Sequence, residues 1–333
     1  MRFALFFITG FISQTVYSQV VDVIIYGKED VHARGIECVN NNLYLACNDG
    51  YLRRYDLKTN EKFLLNPIEE SPELRDVAHN KKQVITIQSG KEGLMIFTDQ
   101  YGNRTNVNHV RTAANQQLKE VFWDGIAIEN KLGFLMGDPI NGEFMLYFSS
   151  NSGKDWKPCK GTLKAFDGEA GFAASGTTVH IKKGIFYFVS GGSKSRLHIS
   201  SNKGENWESF EIPFEAKESA GPFSFAIKDK MNIVTVGGDY TKPKAIEKNC
   251  FITSNGGKTW KACATPPNGY RSCIILTDDV YYTCGTTGMD YSTDGGLNWQ
   301  KLNDFNTFSL AFDENYIYAS SLKGKVLKIK KIR

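Results

Sequence analysis

The sequence predicts an all-β protein, a seven-bladed β-propeller of four-stranded antiparallel blades, closed by an N-terminal strand in the last blade. Three observations lead there. The string SSNSGKDW at Ser149–Trp156 returns as SSNKGENW at Ser200–Trp207, TSNGGKTW at Thr253–Trp260 and STDGGLNW at Ser292–Trp299. The four tryptophans are spaced by 51, 53 and 39 residues, which is the length of a small-sheet repeat. Between the copies lie short runs rich in β-branched and aromatic residues, bounded by Gly, Asn and Asp.

Each copy reads as a hairpin. Asn151, Asn202, Asn255 and Asp294 can accept backbone N–H bonds within the turn. The glycine two places later takes the positive φ. The tryptophan opens the next strand and buries its ring between neighbouring sheets.

In chain order, Val20–Tyr26 is a β-rich run that precedes the first full module. Blade one follows as GIECV, NLYLAC, GYLRRYDL and EKFLLN, and blade two as DVAHN, QVITIQS, GLMIFTD and NRTNVNH. Blade two keeps only Thr98-Asp99 and Gly102 of the motif. Blade three opens at Trp123-Asp124-Gly125, blade four at Glu169-Ala170-Gly171-Phe172, blade five at Ser219-Ala220-Gly221 and blade six at Gly269-Tyr270-Arg271. Blade seven has FSLAFD, YIYASSL and KVLKIKKI, one strand short. Pairing it with Val20–Tyr26 closes the ring and removes two free edges. Arg111–Lys119 is the single helical-looking stretch.

The chain has 333 residues, 41% of them hydrophobic, and a net charge of +4. Six basic residues lie in the last eleven, so the remainder is slightly acidic. No nucleic-acid footprint is present, and the basic end reads as an edge strand guarded by lysines. Residues 1–18 read as a secretory signal, with Arg2 before an interrupted apolar run and a cleavage point after Ser18. The run is too short to span a membrane. The expectation is one propeller domain over 19–333, monomeric, secreted or periplasmic, with no transmembrane segment.

Export permits disulfides. Cys38 with Cys47, Cys250 with Cys263, and Cys273 with Cys284 each flank a hairpin turn and would face one another across two strands if the register holds. Cys159 is the odd cysteine, a buried free thiol. The five histidines are scattered, and no HExxH, CxxC or G-x-S-x-G occurs, so neither a metal nor a cofactor is expected.

A propeller gathers the starts of its innermost strands around one axis. That places Arg34, Arg75 with Asp76, Asp124, Glu169, Ser219, Tyr270 with Arg271, and Thr307 about the channel. Such charges must pair with one another or meet a ligand. Arginines suit a carboxylate, so the channel-face residues Arg34, Arg75, Asp76, Asp124, Glu169, Tyr270 and Arg271 are the candidate ligand site. Asp138 and Asp239 follow second strands and read as turn caps.

The string FWDGIAIENKLGFLMGDPINGEFMLYFSSNSGKDW, the later GEAGFAASGT, SAGPFSFAI, VGGDYTKP and GYRS, and the early Arg34-Gly35 and Leu74-Arg75-Asp76 resemble the bacterial family related to the photosystem II stability/assembly factor, propellers with BNR/Asp-box repeats. The resemblance covers nearly all of residues 30–320. It implies a non-catalytic, assembly-factor-like scaffold that binds a protein partner of the envelope or secreted space. The alternative is a sialidase-like glycosidase. Tyr270, Glu169 and Asp124 would serve as nucleophile, its partner and the acid/base, although the Arg-Ile-Pro signature of sialidases is absent.

Overall fold

The computed structural model describes residues 20–65, 73–80, 82–88, 90, 93–99, 104–109 and 121–332. The expected signal, the helical-looking stretch and Gly102 lie outside them. Seven antiparallel sheets follow one another along the chain. Six are built in simple order. The seventh holds Thr307–Phe312, Tyr316–Ser321 and Lys325–Lys330, with Val20–Ile25 as its outermost strand. Val23 pairs with Leu327 and Ile25 with Lys325. The ring is therefore closed by a strand from the opposite end of the chain, as the strand count requires.

The second strand of each blade is sandwiched by blades on both sides, so it reads as a continuous apolar run rather than an alternating one. Ile185–Gly192, Ile233–Asp239 and Val280–Gly285 are buried at every position. The core lies between blades. Leu43 and Leu45 of blade one pack with Tyr318 and Val326 of blade seven and with Ile24 of the closing strand. Outer strands such as Lys157–Pro158 and Lys261–Ala262 are two residues long, which leaves little edge to template aggregation.

The four repeated turns are one structure. In the first, Gly153 N–H donates to Ser149 Oγ at 2.9 Å, Ser149 Oγ to Asn151 Oδ1 at 2.9 Å, and Asp155 N–H to the same Oδ1 at 3.0 Å. The same three bonds recur around Ser200, Thr253 and Ser292. The leading hydroxyl is thus as structural as the Asn or Asp. Each tryptophan packs between its own blade and the one before: Trp207 of blade four, for example, lies 5.6 Å from Phe134 of blade three.

Blade four departs from the expected pattern. Its innermost strand is split into Glu169–Ala170 and Val179–Lys182, both paired with Ile185–Gly192. The intervening residues 171–178 cross the axis as a plug. Ser175 Oγ donates to Ser272 O of blade six at 2.7 Å, and its carbonyl accepts from Ser309 Oγ of blade seven at 3.2 Å. Thr177 Oγ1 meets Ser224 Oγ of blade five at 2.5 Å. Gly176, at φ 76°, lies on Asp76 of blade two so closely that a Cβ would stand 2.0 Å from its Oδ1, so no other residue fits there.

The cysteines resolve into three cases. Cys250 and Cys263 form a disulfide. Cys273 and Cys284 are direct cross-strand partners but stand as free, buried thiols. The Cys38–Cys47 pairing is corrected by register: Cys38 faces Leu43 and Cys47 faces Ala33, roughly 13 Å apart along the strand at about 3.3 Å per residue, beyond any disulfide. Cys159 is buried and free. Thiol titration of the denatured, unreduced protein is expected to find five thiols, and seven after reduction; three would mean that Cys273 and Cys284 are oxidised.

Candidate functional site

Five of the seven innermost strands carry a bulge at their start. Ala33 pairs with Cys47 and Gly35 with Ala46, so Arg34 is the extra residue. By the same register Arg75, Asp124 and Phe223 are extra in blades two, three and five. Blade seven shifts between Thr307 and Leu310, around Phe308. A bulge re-aims the side chain it carries. The repeated bulge therefore brings one chosen residue from each of these five blades to one end of the axis.

That end is a wreath of rings and guanidinium groups. Arg34 lies 5.5 Å from the centroid of Phe308, and Arg75 5.5 Å from that of Phe122, within cation–π range. His32 packs on Phe308 at 5.1 Å. Phe172 of the plug stacks on Phe223 at 4.0 Å, and Tyr270 meets Phe223 edge-on at 4.8 Å. Arg34 and Arg75 both reach Glu73, at 3.8 and 3.3 Å. Each Nε is buried and has no hydrogen-bond partner among the described residues.

The other expected site residues separate into distinct settings. Asp76 accepts Val77 N–H at 2.8 Å and Ile126 N–H at 2.9 Å, tying blade two to blade three; burial pushes its carboxyl up to about 8. Glu169 has both oxygens occupied: Ser190 Oγ and Arg196 Nε bind Oε1 at 2.5 and 2.7 Å, while Arg196 Nη2 and Phe166 N–H bind Oε2 at 2.7 and 2.9 Å. Burial opposes its charge, but the nearby His198, 3.7 Å away, and the bonds from Arg196 and Ser190 hold it down to about 2. Ser190, His198 and Glu169 form a serine–histidine–acid set sealed from solvent, with the serine proton directed at Glu169 rather than the imidazole. Asp239 caps its turn through Thr241 N–H at 2.9 Å and pairs with Lys217 at 2.6 Å.

Arg271 is the clearest departure from the expected ring. It is fully buried and faces away from the other arginines into blade six. Its guanidinium is consumed by Asp290, Tyr270 O, Thr287 Oγ1 and Asn268 O. Two arginines, not three, stand at the mouth. Tyr270 reaches the wreath through its ring, and burial pushes its phenol strongly upward, which opposes a nucleophilic role.

Asp124 is 1% exposed and lies against Asp138. Burial first, then the Asp138 carboxylate, push it well above the usual carboxylate range, with Arg75 acting the other way. Asp138 accepts Gly171 N–H at 3.0 Å, so the acid pair also anchors the start of the plug. A folded-state pKa above the unfolded value gives stability that is full at low pH and lost as pH rises. Asp124→Asn is therefore expected to match the parent at low pH and to gain on it as pH rises above the ordinary carboxylate range in urea denaturation. Parallel curves would show that Asp124 is ionised in the fold.

Sequence reading missed Phe122, Phe172, Phe223 and Phe308, although each adjoins or occupies the start of an innermost strand. The available signal was an aromatic ring at that position in blade after blade.

The comparisons with known proteins agree on architecture. The family description "Sortilin, neurotensin receptor 3" matches residues 145–270, and "BNR/Asp-box repeat" matches 290–301. No curated protein sequence matches. Among solved structures, "Structure of U3-55K" is similar with TM-score 0.67 and 11% identity, covering 94% of this chain and 100% of that one. "YCF48 bound to D1 peptide" gives 0.65 and 12%, covering 93% and 97%. "Crystal structure of WD40 beta propeller domain of Doa1" gives 0.65 and 8%, covering 93% and 95%. Identities this low speak for the fold alone. Repeated turns, blade count and neighbours together make this chain a seven-bladed propeller with BNR/Asp-box repeats.

Proposed function

We propose that this chain is an exported, non-catalytic binding propeller that holds a protein segment or other anionic group at the arginine-and-aromatic mouth. The observation that carries the reading is the bulge-aimed wreath. Arg34 and Arg75 converge on Glu73, and burial holds the nearby Asp124 carboxyl well above the usual carboxylate range. Aromatic and arginine side chains are the residues that dominate protein interfaces, and guanidinium groups suit carboxylates. The solved propeller described as holding a peptide supports this use of the architecture. The Cys250–Cys263 disulfide supports an oxidising compartment. Among the described residues no helix is long and apolar enough to cross a membrane. We take residues 19–333 as one domain after removal of a signal at 1–18.

Affinity purification from the native envelope should recover a stoichiometric partner. Arg34→Glu with Arg75→Glu should weaken that capture by about a hundredfold or more, since two buried-edge charges are reversed. Recovery of the chain alone, or equal capture by the reversed protein, overturns the reading. The glycosidase alternative gains no support from a buried Tyr270 and a fully occupied Glu169. Turnover of a sialoside that Tyr270→Phe abolishes would reinstate it.

A further inference from the structure

Beyond the plug, on the far side from Arg34 and Arg75, the innermost strands of blades one to four line a cavity of about 200 Å³. Against the roughly 300–1,000 Å³ of sites for drug-sized ligands, this fits only a small group. Ser175, Gly176 and Thr177 of the plug form its floor, and Ile36, Ile126, Ile128, Val179 and Ile181 supply apolar wall. Glu37 and His79 stand at the opening, each about one-third exposed, with Nδ1 of His79 at 2.8 Å from Glu37 Oε1.

The cavity is lined by acids without a strong base, and the burial that lifts the Asp76 carboxyl to about 8 keeps it protonated at neutral pH while the site is empty. Its ionisable side chains are Glu37, Asp76, His79 and His180, with no lysine or arginine in the lining. His180 sits at 2.7 Å from Phe225 O, and burial pulls its imidazole down to about 4, so it is neutral. Glu37 uses Oε1 on His79, and its Oε2 has no hydrogen-bond partner among the described residues. Asp76 is fully enclosed, holds two backbone N–H groups and has no cationic partner among the described residues. A carboxyl buried without a counter-charge is costly, and a cation in the cavity would relieve it. No group of three metal-ligating side chains gathers among the described residues. The aliphatic walls suit a cation on a hydrocarbon stem.

We propose that this pocket binds a primary alkylammonium group, with Glu37 as its counter-charge and Asp76 as the buried carboxyl that ionises beside it on binding. The group could be carried by a free short amine or by the lysine of a peptide. The site is separate from the arginine mouth and does not depend on its function.

Calorimetric titration of the whole protein with n-butylammonium, Nα-acetyl-lysine methylamide and butan-1-ol tests it. One or both ammonium probes should bind saturably and at least about tenfold more tightly than the alcohol. Tighter binding of the lysine derivative identifies a peptide source, and exclusive binding of butylammonium a free amine. Glu37→Gln and Asp76→Asn should each weaken the ammonium probe about tenfold, while Arg34→Ala should not. Asp76 also holds backbone, so if Asp76→Asn fails to fold, Glu37→Gln at the one-third-exposed opening decides. No saturable binding, equal affinity for the alcohol, or unchanged binding by Glu37→Gln overturns the proposal.

Discussion

A chain that begins at Gly27, without the closing strand, is expected to lose cooperative folding or to unfold at least about 4 kcal/mol more easily. Removing Val20–Ile25 breaks the ladder to Lys325–Lys330 and uncovers Val326 and Tyr318, which pack around Ile24. Burial of one such aliphatic side chain is worth about 1.5–3 kcal/mol, and the bared strand becomes an aggregation edge. A milder probe is Ile24→Asp, which places a charge at a buried position and should cost roughly 3 kcal/mol or more. A circular permutant that joins the natural termini and opens the chain between blades three and four should keep near-parent stability, because the closing pair becomes covalent. Denaturation of the three variants reads the result. A truncated chain as stable as the parent would show that closure contributes little.

The second large effect is expected at Arg271. Its guanidinium, with no exposed surface, joins Asp290, Thr287 and the carbonyls of Asn268 and Tyr270. Asp290 also accepts from Asn268 Nδ2 at 2.7 Å. Arg271→Ala leaves a buried carboxylate without its partner, a change that typically costs about 3–5 kcal/mol. Arg271→Lys should recover little, since an ammonium cannot span the same fork of acceptors. Replacing both Arg271 and Asp290 with apolar residues of similar size should recover much of the loss, since no charge is then stranded. Single and double variants compared by denaturation form a cycle. A double variant as damaged as Arg271→Ala would mean that the loop itself, not the ion pair, carries the cost.

The fold was legible because its signals are local. A turn that needs Asn, a positive-φ glycine and a tryptophan leaves the same letters each time it is used, and seven apolar second strands could be counted between them. The terminal pairing followed from arithmetic on strands, with no knowledge of long-range contacts. The site was only half legible. Placing Arg34 and Arg75 at the strand starts was within reach, because the position of a residue relative to its strand is local information. The direction of Arg271 was not: whether it turns to the axis or into blade six depends on Asp290, nineteen residues away, on a strand whose register the sequence does not print. The Cys38–Cys47 expectation failed for a related reason. Both cysteines flank a turn, but Cys38 lies one residue inside its tight hairpin and Cys47 lies at the far end. GEAGFAASGT offered small residues and no apolar alternation, which describes a loop but not where the loop goes.

Repeat architectures ordinarily gain stability by addition, each unit touching only its neighbours, and can fray unit by unit. Residues 171–178 bond blade four to non-adjacent blades six and seven and pack on Asp76 of blade two, so this ring should lose that modularity. The spoke reaches its full set of partners only after all seven units have assembled, which makes its ordering a late event in folding. Once made, it should force the units to open together: amide exchange in distant blades would share one opening free energy where an additive array would show a graded series.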